Sequence, residues 1–373
     1  MYEHQGLEDI FYLMLYGGAA MLALTTALYL LLTRNNIVSP FTHPPKKLRQ
    51  WTAAFLFSVA LSHIWWVVLG IHWLTDDRLV RNAVAIGLDS ITLVPLMMAI
   101  LLRMLQDRRR PLWPILIAML PAVGIVVGIG LIMHNPAYEV ILSIYLLLSS
   151  LAFVVYMVFA VRRYGRWLHD NYANLEHKEV WQSLVLLFTI LLMFFAYKTN
   201  FGGLLSEYAV QLGTYVLIGF LIWRVESLQQ LHASSNDVAD NKMTKNPHSI
   251  EYSIAIPTNI GSLLEEHCEA TQLYLLYDLT LTQLASAIGT NRTYLSAYFA
   301  QQGTTYNTYI NELRINHFIK LYRESRASGR PFTVLELSQR CGYSSYSTFS
   351  TAFKRFTGIT PKDWQKQEES EGK

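Results

Sequence analysis

Cysteine is nearly absent, with only Cys268 and Cys341 in 373 residues. Two thiols cannot build a disulfide framework, and their spacing matches no metal-ligand pattern, so a reducing compartment is expected. Charge is scarce as well, but only in one part of the chain. From Phe11 to Trp223 long apolar runs dominate, whereas from Arg224 onward the balance is that of a soluble domain. There is no His-Glu-x-x-His, nucleophile elbow, glycine-rich phosphate loop or Cys/His cluster. No catalytic residue, metal site or cofactor is therefore expected. Residues Met1 to Asp9 carry Glu3, Glu8 and Asp9 but no Lys or Arg, the reverse of a secretory n-region. The first apolar stretch is too long for an h-region and is expected to stay as a helix. Period-two alternation is missing too, which excludes a membrane β-barrel.

What is present is apolar length. A hydrocarbon core of ~30 Å needs roughly 20 apolar residues of helix. Seven stretches satisfy this, at about 11–32, 51–74, 83–105, 112–133, 139–161, 180–198 and 203–223. Arg34, Lys46, Lys47 and Arg49 follow the first stretch, Arg103 and Arg108 to Arg110 the third, and Arg162, Arg163, Arg166 and Lys178 the fifth. The alternate loops hold Arg78 and Arg81, then no basic residue around His134 to Tyr138, then Lys198. The positive-inside rule accordingly places the N-terminus outside and the C-terminus in the cytoplasm. The expected fold class is all-α: a polytopic seven-helix transmembrane bundle over 1–223, followed by a soluble helical domain.

Between the two, Arg224 to Leu231 keeps helical character, with Val225, Leu228 and Leu231 as a short apolar stripe suited to signalling, to dimer contact or simply to a solvated helix end. Ala233 to His248 is rich in Ser, Asn, Asp and Lys without apolar periodicity and reads as a tether, completing a linker over 224–250. The soluble domain then occupies 251–373. Its opening helix is expected to carry Leu263, Leu264, Leu273, Leu275 and Leu276 and to end near Tyr277-Asp278.

Two similar patterns follow. In the first, Thr280 caps a helix burying Leu284, Ala285 and Ile288, Gly289 permits a sharp turn, and Asn291 caps the next helix. Leu295, Tyr298 and Phe299 form the inner stripe of that helix. Asn291, Arg292, Thr293, Ser296 and Ala297 remain on the face suited to a major groove, where short polar side chains reach base edges. In the second, Thr333 caps, Leu335 and Leu337 are core candidates, and Gly342 makes the turn. Ser345 then starts a helix with Phe349, Ala352, Phe353 and Phe356 inward. Ser345, Tyr346, Ser347, Ser350, Thr351, Lys354 and Arg355 are its candidate DNA-binding residues. A helix over Thr304 to Ser325 spaces the units, and Pro361 opens a closing helix sealed by Trp364. Two such units on one spacer can enter successive major grooves about 34 Å apart.

Charge agrees with this assignment. From Leu281 to Lys366 the acidic residues are only Glu312, Glu324, Glu336 and Asp363, against eleven basic ones. That excess suits counterion release from phosphates.

The segment from about 261 to 366 resembles the AraC/XylS-type DNA-binding domain. Leu284-Ala285, Tyr294-Leu295-Ser296, Tyr309-Ile310, Arg314-Ile315, Gly342-Tyr343, Ser347, Phe349, Phe353-Lys354 and Thr357 to Pro361 carry the resemblance. Phe318 departs from it, standing where many members carry Ala. The resemblance implies a bacterial regulator acting on double-stranded DNA and contacting RNA polymerase. With the apolar stretches, it implies a lipid-bilayer protein of the bacterial cytoplasmic membrane, with homodimerisation as one way of coupling. The base-facing side chains are short where several relatives have Arg or Gln, which shifts weight toward phosphate contacts and DNA shape. Arg314 is expected to brace the spacer, Cys341 to fill space beside Gly342, and Arg323, Arg326 and Arg330 to form a solvated face.

In the apolar region His63, His72, Asp89, Lys198 and Glu207 are candidates for a pocket receiving a small polar signal from the outer side. The competing reading is interhelical hydrogen bonding and interfacial snorkelling. The seventh stretch has no Lys for a retinal Schiff base. A transporter or membrane enzyme with a regulatory DNA-binding tail is the alternative for the whole chain, hinted at by Pro114, Pro121 and the glycines of the fourth stretch.

Overall fold

The computed structural model describes residues 7–33, 36, 42–70, 75–199, 204–231, 259–329 and 331–371. Among the described residues the chain is helical throughout, with no strand and one isolated antiparallel bridge between Tyr172 and Thr280. It divides into two compact units. One comprises Met1–Tyr164 and His177–His232, and the other Gly165–Glu176 and Ala233–Lys373.

The first unit holds helices α1 (Leu7–Leu32), α2 (Lys46–Gly70), α3 (Arg78–Met104), α4 (Trp113–Gly124), α5 (Ala137–Asn171), α6 (Gln182–Thr199) and α7 (Leu204–Ser227), with the last turns of α5 belonging to the second unit. Each expected span overlaps one of them, with 71–74 and 203 lying outside the described residues. Among the described residues, α1 to α5 and α7 are long and apolar enough to cross a membrane, α4 counted together with the turns that follow it. The side chains of the second half of α6, from residue 191 on, lie outside the described residues. Large apolar side chains such as Leu116, Leu120, Leu148, Phe159 and Val216 are exposed on these helices.

Two helices differ informatively from expectation. Pro121 sits inside α4, which continues as a π-helical stretch over Ile125–Ile132 containing Gly128 and Gly130. A proline cannot donate to the preceding turn, and glycines tolerate the widened winding. Helix α5 runs ten residues beyond the expected end at 161, through Arg162 to Asn171, after the apolar run stops.

The end of α7 is the most polar part of this unit's interior. Glu226 is fully buried and pairs with Arg49 at 3.3 Å, while Tyr29 donates to it at 3.1 Å. Arg49 also donates to the Thr33 carbonyl at 2.7 Å. Asn36 and Thr42 both donate to the Glu226 carbonyl at 2.7 Å. The expected helical continuation to Leu231 stops at Ser227. Beyond it the chain is bonded outside any helix: Gln106 accepts from the Leu231 N–H and donates to the Gln229 carbonyl, each at 2.9 Å, and the Gln229 and Gln230 N–H groups donate to the His177 and His43 carbonyls. Val225, Leu228 and Leu231 are buried within the unit instead of forming an exposed stripe. The proposed tether over 233–248 lies outside the described residues.

The second unit contains α8 (Ile260–Leu264), α9 (Leu281–Ala287), α10 (Arg292–Gln301), α11 (Tyr306–Ala327), α12 (Val334–Arg340), α13 (Tyr346–Thr357) and α14 (Pro361–Glu371). The opening helix is shorter than expected. It widens to π-helical winding over Glu265–Glu269, and the turn after it passes through Gln272, which has a left-handed φ of 57°. A single 3-10 turn, Leu273–Leu275, follows, leaving Leu276 and Tyr277 exposed. Each half of the unit has its own core. One gathers Ile260, Leu264, Leu284, Leu295, Phe299, Tyr306 and Ile310. The other gathers Ile315, Phe318, Tyr322, Leu337, Phe349, Phe353 and Trp364. Helix α11 supplies both, its first half to one and its second half to the other.

A candidate DNA-binding face on paired helix-turn-helix units

Local chemistry sets each helix start. Thr280 and Gln283 form a reciprocal capping box at α9, Asn291 accepts from the Tyr294 N–H at 2.8 Å, Thr333 from the Glu336 N–H at 3.1 Å, and Ser345 from the Thr348 N–H at 3.3 Å. Gly289 and Gly342 turn the chain between paired helices with φ of 72° and 85°. At Gly342 a Cβ would meet the Leu275 carbonyl oxygen at 2.6 Å, so the close approach as well as the φ requires glycine.

The spacer is fixed to the preceding segment by Arg314. Its side chain is fully buried and donates to the Tyr274 carbonyl at 2.7 Å, the Leu276 carbonyl at 2.6 Å and the Tyr277 carbonyl at 3.4 Å, with the Tyr343 ring 5.6 Å away. Burial lowers its pKa from the ordinary arginine value, partly offset by Tyr343. Cys341 is buried beside Gly342, and its thiol is pushed up to about 12 by burial. Phe318, the departure from the family pattern, lies at the centre of the second aromatic cluster, 4.5 Å from Phe349 and 5.8 Å from Phe353. Arg323 and Arg326 are not merely a solvated face. Arg323 pairs with Glu368 of α14 at 2.6 Å and Arg326 donates to the Glu368 carbonyl at 2.6 Å. Arg330 lies outside the described residues.

On the first candidate recognition helix, α10, Asn291, Thr293 and Ser296 are exposed, and Arg292 and Ala297 are half-buried. On α13, Tyr346, Ser347, Thr351, Lys354 and Arg355 are exposed, and Ser345 and Ser350 half-buried. Two core expectations fail: Leu335 and Phe356 are exposed. Leu337 and Phe353 already fill the interior of their helices, so the neighbouring apolar positions turn outward.

Sequence reasoning missed one component of this face. Residues 165–176 belong to the same unit and lie against it. Asn307 donates to the Tyr172 and Ala173 carbonyls at 3.0 and 2.8 Å, Asn311 to the Ala173 carbonyl at 3.1 Å, and the Ala173 N–H to the Leu279 carbonyl at 3.4 Å. Ala173 is part of the first core. Asn171 accepts from Arg292 Nε at 2.8 Å. Glu176 accepts from the hydroxyls of Thr348, at 3.1 Å, and Ser344.

Among the candidate signal residues, His72 and the Lys198 side chain lie outside the described residues, and Glu207 is exposed. Asp89 accepts from Ser62 at 2.7 Å and from Trp66 Nε1 at 2.8 Å, tying α3 to α2. His63 lies 2.8 Å from the Val59 carbonyl through Nδ1 and 3.3 Å from Gln211 Oε1 through Nε2, and the Tyr16 ring lies tilted against it with centroids 4.5 Å apart. His63 and Asp89 thus have different partners. Ser62, Trp66, Tyr16 and Gln211 were not singled out from the sequence.

Two linked helix-turn-helix units define the C-terminal part as a DNA-binding domain, and comparison with known proteins agrees. Residues 284–367 match the family model described as a helix-turn-helix domain. The chain is similar to the HTH-type transcriptional activator RhaR of Salmonella dublin, 30% identical over 110 residues covering 26% of this chain and 37% of that protein. It is also similar to RhaR of Salmonella typhi, 39% identical over 66 residues covering 18% and 22%. The chain thus spans well under half the length of these curated relatives. No solved structure matches. The C-terminal part is an AraC-type helix-turn-helix domain.

Proposed function

We propose that the protein is a membrane-embedded, sequence-specific transcriptional regulator: a one-component sensor whose bundle receives a signal and whose C-terminal domain reads DNA in the cytoplasm. The observation that carries this reading is the presence, in one chain, of helices apolar enough to cross a membrane and an AraC-type domain with two recognition helices on one spacer. Asn291, Arg292, Thr293, Ser296 and Ala297 would serve the first groove, and Ser345, Tyr346, Ser347, Ser350, Thr351, Lys354 and Arg355 the second. Short side chains would read base edges while the basic residues neutralise phosphates. RNA polymerase and a second copy of the chain are the further partners, and the bacterial cytoplasmic membrane is the location. His63 with Gln211, and Asp89 with Ser62 and Trp66, are the polar groups through which a signal would alter helix packing.

The second reading, a transporter or membrane enzyme with a regulatory DNA-binding tail, draws on the π-helical half of α4, since irregular winding recurs at functional sites. The full chain in lipid nanodiscs, incubated with genomic fragments of its source organism across a salt series, separates the possibilities. Enrichment of a motif with two half-sites about one helical turn apart is expected. Uniform, steeply salt-sensitive retention of all fragments would count against sequence-specific regulation.

A further inference from the structure

We propose that residues 171–176 are an internal competitor of DNA, holding the ends of both recognition helices in a closed state that DNA must displace. This rests on the reading of the second unit as a DNA reader. Asn171 binds the guanidinium of Arg292, the first residue of α10. Five residues on, the Glu176 carboxylate accepts hydrogen bonds from the hydroxyls of Ser344, just before α13, and Thr348, in its first turn. A carboxylate at a helix N-terminus occupies the position a phosphate would favour, because unpaired N–H groups and the helix dipole attract anions there. The segment therefore presents an amide to the cation and an anion to the hydroxyls, the groups that DNA backbone contacts would use.

Its seat is built to accept and release it. Asn307 and Asn311 hold the Tyr172 and Ala173 carbonyls, and the bridge from Tyr172 to Thr280 adds backbone pairing. Only Ala173 enters the core. The segment's other buried side chains are Asn171, Tyr172 and Asn174, so release leaves mainly polar groups that water can satisfy, together with the Ala173 methyl and the Tyr172 ring. Because competition is reciprocal, whatever stabilises the docked segment weakens DNA binding by the same factor. The segment is covalently continuous with α5 on one side and precedes α6 on the other, so a signal acting on those helices has a direct route to it.

The test uses the full chain in nanodiscs and a random-sequence duplex DNA pool. Glu176→Gln and Asn171→Ala should each bind the pool about tenfold more tightly than the wild type, the effect of losing one charge-assisted hydrogen bond. Glu336→Gln, which removes an exposed carboxylate from the same unit, gauges the general charge effect and should change affinity far less. In the unmodified protein, saturating DNA should speed amide exchange at Ala173 and Glu176. Exchange unchanged or slowed by DNA, or variants that bind no tighter than Glu336→Gln, would overturn the competition while leaving the reader intact. Absence of DNA retention by every form at low salt would overturn the DNA-reading assignment and the competition with it.

Discussion

Arg314 and Gly342 depend on each other. The guanidinium lies against the turn because residue 342 has no side chain, and a Cβ there would come within 3.1 Å of Arg314 Nε as well as 2.6 Å of the Leu275 oxygen. Gly342→Ala combines a strained positive φ with a collision against backbone, and should destabilise the second unit by ~3 kcal/mol. Native-state amide exchange along α11 would report the loss, and exchange unchanged from the wild type would refute it. His317 offers a different residue-scale test. It is half-buried, its Nδ1 lies 3.3 Å from the Tyr274 hydroxyl, and burial followed by Lys320 lowers its pKa below the usual histidine value of 6.5. The folded state therefore resists protonation. Its contribution to stability is present above pH 6.5 and is lost as pH falls through the lowered folded value. Thermal unfolding of the second unit should move to lower temperature on acidification below pH 6.5, and His317→Asn should flatten that dependence.

At the scale of elements, the proposed reading assigns two kinds of DNA contact to α13. Lys354→Ala should weaken binding to all DNA sequences alike and reduce the slope of log affinity against log salt by about 0.9, the loss of one phosphate contact. Thr351→Ala should leave that slope unchanged and relax preference at one base position, at a cost of ~1–3 kcal/mol for the preferred base. Affinity measured across a salt series for several sequences distinguishes them. The helix starts were legible in the sequence because capping is local: Thr280, Asn291, Thr333 and Ser345 each bond to a backbone group three residues on. Inner faces were less so. In short helices such as α12 two apolar positions compete for one interior, and Leu337 rather than Leu335 fills it. The contacts of 171–176 were not legible at all, since they join residues more than 100 positions apart through polar side chains that carry no periodic signal.

At the scale of the whole molecule, hydropathy located each helix of the first unit because each carries a long apolar run that composition alone reveals. It did not locate the polar junction at Glu226, which pairs with Arg49 and Tyr29 one residue before α7 stops. The distribution of basic loops makes a prediction for the chain as a whole. Alkaline phosphatase fused after Asn135 should be active, because that loop is expected outside, and the same enzyme fused after Arg109 should be inactive. The opposite pattern would invert the topology and put the reader on the wrong side of the membrane for DNA.

The place of Ala173 in the first core bears on how the reader can be handled away from the bundle. A fragment cut at the conventional boundary near residue 251 would lack the carbonyl partners of Asn307 and Asn311 and would leave a notch over Leu279 where the 171–176 segment sat. Such a fragment is an altered surface, more open to proteases and to self-association. A soluble reader of native character would have to carry residues 165–176 back in, grafted ahead of α8.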